Sequence, residues 1–330
     1  MISPHFKDIA HARMQHYWLI AKKTAWAYEL KAREWLRENG PGIREQARQY
    51  SLLMRLDKPI GTLLLLWPTM WALWIAADGI PSVHLLLVFI AGVFLTRSAG
   101  CVMNDYADRN FDRYVARTQD RPLTTGRVSP REAFYLIAAL LAVALLLVLT
   151  TNRLTIFLSF LALPIGGFYP FMKRYIYFPQ LFQGLAFGWG VPMAFAAATG
   201  SVPQIAWLLY VTNVLWSMSY DTMYAMVDRE DDKKIGVKST AILFEESDRF
   251  FIGVIQLMML AALVLVGTRL KFGPYYYYCL CVAAGIILYL QFLIRTRAPE
   301  KCFKAFLRNN WFGAVVFIGI VLHYYHTVNN

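Results

Sequence analysis

Apolar residues in this 330-residue chain run in long unbroken blocks rather than recurring against a polar face at helical spacing. Nine such blocks can be drawn, near 60–78, 83–103, 133–150, 154–171, 181–199, 203–220, 250–267, 274–294 and 311–328. At roughly 17 to 22 residues each, they are long enough to cross a hydrocarbon core of about 30 Å as helices. Inside that core every backbone N–H and C=O must be satisfied without water, which a helix does within its own segment. The pattern therefore predicts an all-α integral membrane protein, a nine-helix bundle joined by polar connections.

Charge decides the orientation. All but four of the 33 Lys and Arg fall in the N-terminal segment or after the second, fourth, sixth and eighth blocks. The exceptions are Arg153, Arg269 and Lys271 on the opposite side, and Arg97 inside the second block. Positive charge is retained on the cytoplasmic side, so this alternation predicts a multi-pass protein of the cell inner (cytoplasmic) membrane with its N-terminus cytoplasmic and its C-terminus periplasmic. The net charge of +12 is then explained by loops bordering apolar spans, where anionic headgroups of the lipid bilayer are the ready partner and nucleic acid is not. The four cysteines form neither a CxxC pair nor a Cys/His cluster, which argues against zinc and against a disulfide framework.

Residues 1–53 differ in mixing both signs of charge with apolar residues, with no run of signal-peptide length. They read as a cytoplasmic or interfacial extension. Trp18, Trp26 and Trp35 against basic positions fit a surface-lying helix, and a loosely ordered segment fits equally well. Residues 54–330 read as one polytopic membrane domain.

The local chemistry begins where the second block ends, at Asn104-Asp105-Tyr-Ala-Asp108-Arg-Asn-Phe-Asp112. On a continuous helix, the carboxylates at i, i+3 and i+7 lie within roughly 60° of one another. Such crowding is unfavourable unless a cation compensates it. The sixth block ends in a second cluster, Asp221-Thr-Met-Tyr224-Ala-Met-Val-Asp228-Arg-Glu-Asp231-Asp232. Here Asp221, Asp228 and Asp232 share a face and Asp231 lies about a quarter-turn away. A single acidic run is ordinarily a solvated loop, but two at equivalent helix ends form a set of hard oxygen donors suited to Mg2+. That ion takes one or two carboxylates and completes its shell with water and phosphate oxygens, which implies a diphosphate ligand.

Arg121, Lys173, Arg174 and Lys238 stand in the same cytoplasmic layer and are candidate phosphate ligands, Arg by its fork and Lys as a point charge. Arg97 lies two turns deeper than Asn104, where a charge is costly; it is placed to hold a carboxylate, with a structural ion pair or a snorkelling side chain as the alternatives. Aromatics of the spans, among them Trp67, Trp71, Trp74, Phe168, Tyr169, Phe187 and Trp189, are candidates for an isoprenoid-lined hole or for plain packing.

The two clusters read NDxxDxxxD and DxxYAxxDxxDD, and with YPFMKRY (169–175) and RLDKPIG (55–61) the chain resembles the UbiA superfamily of membrane prenyltransferases over residues 54–328. Within it the resemblance is to the 4-hydroxybenzoate polyprenyltransferases of ubiquinone synthesis. The resemblance implies nine helices around a central cavity open to lipid and capped by cytoplasmic loops, with Mg2+ as cofactor and polyprenyl diphosphate and 4-hydroxybenzoate as substrates. By position it implies Asn104, Asp108, Asp228 and Asp232 at the metal, with Asp105, Asp112, Asp221 and Asp231 in support. It places Lys173, Tyr169 and Arg121 at the diphosphate, Tyr224 in the second motif and Arg97 at the aromatic acid. Asp112 or Asp221 then takes the ring proton. A transporter is the rival of another class, but it expects the acids within the spans, and they sit at the ends.

Overall fold

A computed structural model describes residues 40–110, 112–114 and 118–329, with isolated positions between 18 and 33. The chain divides into two compact units, residues 1–51 and 52–330. In the first, residues 40–51 are helical, and most of the proposed surface helix lies outside the described residues.

The second unit is helical throughout its regular structure. In chain order the helices are α1 (Ile60–Ala76), α2 (Val83–Asp108), α3 (Pro130–Val148), α4 (Arg153–Met172), α5 (Pro179–Gly188), α6 (Gly190–Thr199), α7 (Gln204–Ile235), the short α8 (Thr240–Phe244), α9 (Asp248–Arg269), α10 (Pro274–Leu293) and α11 (Pro299–Asn329). Their starts follow local chemistry. Ser82 accepts from the Leu85 amide at α2, Asn152 from the Thr155 amide at α4, and Ser129 with Glu132 forms a reciprocal capping box at α3. Glycines at positive φ, Gly200 and Gly236, close α6 and α7.

Among the described residues, seven helical segments are long and apolar enough to cross a membrane, not nine. The fourth is α5 and α6 taken together. The two blocks that fall short do so for physical reasons. Helix α1 has only 17 residues, and Gln204, Thr212, Asn213, Ser217 and Ser219 dilute the apolar residues of α7. The block near 181–199 is broken at Trp189, where close packing explains the flanking glycines. A Cβ on Gly188 would lie 2.8 Å from Asn213 Nδ2, and one on Gly190 would lie 2.7 Å from Thr69 Oγ1.

The core runs between α1, α6, α7, α9, α10 and α11, with Trp71 stacked on Trp216 at 5.4 Å and with Tyr276 and Phe312 fully buried. A smaller cluster, including Met223, Met226, Ile252, Leu293 and Cys302, supports the C-terminal half of α7. Helices α3 and α4 instead expose Phe134, Tyr135, Leu146, Phe157 and Phe160, an outer surface suited to lipid.

Candidate active site

Helices α2 and α7 both continue past their apolar blocks, and this continuation carries the two acidic motifs to one place. A cavity of about 820 Å³ is walled by Asn104, Asp108 and Asp112 from the first motif and by Asp221, Tyr224, Asp228 and Asp232 from the second. Arg97, Arg121, Tyr169, Lys173 and Lys238 also line it, together with Arg55, Lys58, Gln180 and Gln183, which the sequence reading did not single out.

The first motif is not one helical face. Helix α2 ends at Asp108, and Asp112 begins a 3-10 turn, so the i, i+7 phasing is interrupted. Asp105, at 1% exposure, points away from the cavity wall into a charge network. Its Oδ1 accepts from Arg55 Nη2 at 2.6 Å and pairs with Arg121 Nη1 at 2.9 Å. The same Arg121 nitrogen donates to Asp112 Oδ2 at 2.7 Å. Burial pushes the Asp112 carboxyl above its ordinary pKa, while the Arg121 guanidinium pulls the other way and the neighbouring Asp108 and Asp105 charges add to the rise.

Asp108 is buried, accepts from Lys173 Nζ through Oδ2, and has no hydrogen-bond partner at Oδ1. On the second motif Asp221, Asp228 and Asp232 line the cavity as their spacing implies, whereas Asp231 pairs with Lys234 outside it at 3.1 Å. Arg174 is likewise not on the cavity wall; its Nη2 donates to the Ala107 carbonyl at 2.6 Å and so fastens the end of α4 to the end of α2. Lys238 donates to the Tyr175 carbonyl at 2.9 Å, and its backbone N–H to the Lys173 carbonyl at 2.9 Å. These bonds tie the loop after α7 to the loop that presents Lys173.

Among the described residues no three Asp, Glu, His or Cys side chains converge tightly enough to hold a metal alone. That donor set fits a hard ion which takes few protein carboxylates and needs ligand oxygens to complete its shell, and the unpartnered, buried Asp108 Oδ1 is a position for it.

A second cavity, of about 410 Å³ and lined almost wholly by apolar residues of α2, α3, α4, α5 and α6, adjoins the first. Arg97, Tyr169 and Phe187 belong to both walls. The Arg97 guanidinium lies 5.8 Å from the Phe187 ring centroid and close against Gly61. Of the candidate aromatics, Tyr169, Phe187 and Trp189 reach the apolar cavity. Trp71 is core, Trp67 donates to Asn310 Oδ1 at 2.7 Å, and Phe168 is exposed.

A family model for the UbiA prenyltransferase family matches residues 65–318. The chain belongs to that family. It is 57% identical over 281 residues to the 4-hydroxybenzoate octaprenyltransferase of Aeromonas salmonicida, a match spanning 85% of this chain and 97% of the relative. Identity to the enzyme of the same name from Vibrio campbellii is 56%, covering 85% of this chain and 99% of that one. In three dimensions the chain is similar to an apo UbiA homolog from Aeropyrum pernix K1, with a TM-score of 0.70 at 24% identity, over 79% of this chain and 97% of the other. It is also similar to a UbiA homolog from Archaeoglobus fulgidus bound to GPP and Mg2+, with a TM-score of 0.64 at 20% identity, over 82% of this chain and 99% of the other. The fold is thus that of the UbiA family, and the family with its apolar helices makes this a multi-pass membrane protein.

Proposed function

We propose that this UbiA-family protein transfers a polyprenyl group from polyprenyl diphosphate to the ring carbon ortho to the hydroxyl of 4-hydroxybenzoate, releasing diphosphate, as a step of ubiquinone synthesis. The observation that carries the reading is the meeting of two unlike cavities at Arg97, Tyr169 and Phe187: one polar and flanked by both acidic motifs, the other apolar. A donor with a charged head and a long hydrocarbon tail needs that combination.

Mg2+, when bound, supplies charge neutralisation of the departing diphosphate. Asn104, Asp108, Asp228 and Asp232 are the residues that would hold it. Lys173, Arg121, Arg55 and Lys238 face the same space and receive the negative charge that develops as the C1–O bond breaks with its electron pair leaving on oxygen. Tyr224 lines the wall beside them, and Asp105 acts by aiming Arg55 and Arg121. Arg97 holds the acceptor carboxylate, so that the ring lies between the guanidinium and the allylic C1.

The level of each carboxylate favours Asp221 over Asp112 as the base. At 1.5 Å per residue, Asp221 lies about 10 Å deeper than Asp228, and Arg97 about 10 Å deeper than Asn104. Asp221 therefore shares the acceptor's layer, while Asp112 sits in the cytoplasmic turn bonded to Arg121. As the ring carbon bonds to C1, Asp221 takes the proton that carbon releases and aromaticity returns.

The same reading places the protein in the cell inner membrane with a cytoplasmic N-terminus and periplasmic C-terminus, on the strength of the Lys and Arg distribution. It takes residues 54–330 as the membrane domain, with α1 and α7 as the spans that bring the count to nine. The test is to incubate membranes holding the protein with 4-hydroxybenzoate, a polyprenyl diphosphate and Mg2+, with and without EDTA, and to seek 3-polyprenyl-4-hydroxybenzoate by mass spectrometry. EDTA-sensitive product is expected. Its absence with intact protein, alongside product from another aromatic acceptor, overturns the acceptor and leaves prenyl transfer standing.

A further inference from the structure

Met226 is the last fully buried residue of α7. Beyond Val227 the helix runs through seven consecutive charged residues, Asp228 to Lys234, and the two carboxylates given above to the metal lie in that stretch. Within that stretch the side chain that ties the helix to a buried partner on other elements is Arg229, about 100° around from Asp228. Its Nη2 donates to Asp248 Oδ2.

Asp248, the first residue of α9, has no solvent exposure. It also accepts from Arg297 Nε, at 2.9 Å on Oδ1 and 3.2 Å on Oδ2, and from the Arg249 amide at 2.6 Å. Arg297, in the α10–α11 connection at φ +55°, donates through Nη2 to the Glu246 carbonyl. One buried carboxylate thus joins the end of α7, the turn before α9 and the connection before α11. An apolar contact would hold these elements together at less desolvation cost. What the ion pair adds is direction, because a guanidinium held on one side fixes the rotation of the helix that bears it.

We propose that Asp248 is a positioning residue for the second acidic motif, setting through Arg229 the aim of Asp228 and Asp232 into the cavity. The proposal rests on the metal-site reading given above, and its test separates the two. Full-length protein in detergent is titrated with Mn2+ in the presence of inorganic diphosphate, bound Mn2+ is read by electron paramagnetic resonance, and a melt is recorded in parallel. Wild type, Asp248→Asn and Arg229→Lys are compared.

Asp248→Asn is expected to weaken Mn2+ binding about tenfold or more, the range typical when an outer partner of a metal ligand is lost, with a broadened spectrum. Arg229→Lys keeps the charge but replaces the rigid planar guanidinium by a flexible ammonium, and is expected to give a smaller weakening with the same broadening. A variant that melts lower yet keeps wild-type affinity and spectrum shows a merely structural tie and overturns the proposal. Where Asp248→Asn does not accumulate folded, Arg229→Lys decides by the same criterion. If wild type fails to bind Mn2+ with diphosphate, the metal-site reading falls first and the proposal with it.

Discussion

Gly61 is the second residue of α1, and the Arg97 guanidinium of α2 lies against its Cα. A Cβ added there would stand 2.7 Å from Arg97 Nε and 2.9 Å from Cζ, and nearer still to Nη2. Those atoms are the far end of a flexible side chain, so in Gly61→Ala the guanidinium gives way and the helix stays. Stability is expected to hold or rise slightly, since Ala is the better helix former by up to about 1 kcal/mol. Acceptor binding is expected to suffer. A charge-assisted hydrogen bond contributes about 1.5–3 kcal/mol. At about 1.36 kcal/mol per tenfold, its loss raises KM for 4-hydroxybenzoate roughly 10- to 150-fold. The KM for polyprenyl diphosphate is expected to stay put. The assay is steady-state prenyl transfer with each substrate varied in turn. Gly285→Ala serves as control, because a Cβ there meets nothing within 4 Å. An acceptor lacking the carboxylate is expected to be indifferent to Gly61→Ala. Equal losses on both substrates, or an unchanged 4-hydroxybenzoate KM, would refute the assignment of Arg97 to the acceptor.

Three further outcomes follow from the same geometry. Asp108→Asn and Asp228→Asn are each expected to lower kcat by at least about a hundredfold, in the range seen when a preorganised electrostatic group is lost, without rescue by saturating Mg2+; near-normal turnover would remove them from the metal site. Asp105→Asn leaves Arg55 and Arg121 facing each other without their shared carboxylate, and removing one partner of a buried pair costs about 3–5 kcal/mol, so a lowered Tm is expected, which a wild-type melt would contradict. Gly166→Phe fills space in the apolar cavity where a Cβ meets nothing within 4 Å; turnover of a long polyprenyl diphosphate is expected to fall while that of geranyl diphosphate is kept, and equal effects on both donors would exclude this cavity as the tail's place.

The sequence displayed the helical architecture because lipid leaves the backbone few choices, and the block pattern found eight of the helices within a few residues of their cores. The block pattern did not display the break at Trp189. The local signal for it was Pro192, which has no N–H to give the Gly188 carbonyl four residues earlier and so interrupts the helix there, whereas the close approach of Asn213 and Thr69 to Gly188 and Gly190 comes from other helices and is not written in this stretch. In the second motif α7 stays helical through Ile235, so the phase that groups Asp221, Asp228 and Asp232 holds, while Asp231, expected in support at the metal, pairs with Lys234 outside the cavity. In the first motif Asp105, Asp108 and Asp112 do gather, with Asp105 and Asp112 on the same Arg121 nitrogen, but Asp105 is not on the cavity wall, which phase alone did not tell.

Phase predicts a shared face only while the helix lasts, and α2 ends at Asp108. Asp105, still inside the helix, is turned toward Arg55, which stands just before α1 at φ +60°. Asp112, beyond the helix end, lies on the cavity wall with Arg121 bonded to its carboxylate and Thr118 to its carbonyl. The motif's three carboxylates thus divide their labour: Asp108 presents an unpartnered oxygen, and Asp105 and Asp112 hold guanidinium groups at the wall. Asp248 does for Arg229 what Asp105 does for Arg121, fixing an arginine beside a motif from a buried site. In both motifs, then, carboxylates spaced for a metal are interleaved with or backed by carboxylates spent on arginines. One-dimensional spacing cannot separate the two kinds, because which carboxylate meets an arginine depends on how Arg55, 50 residues before Asp105, and Asp248, 19 residues after Arg229, fold back onto the motifs.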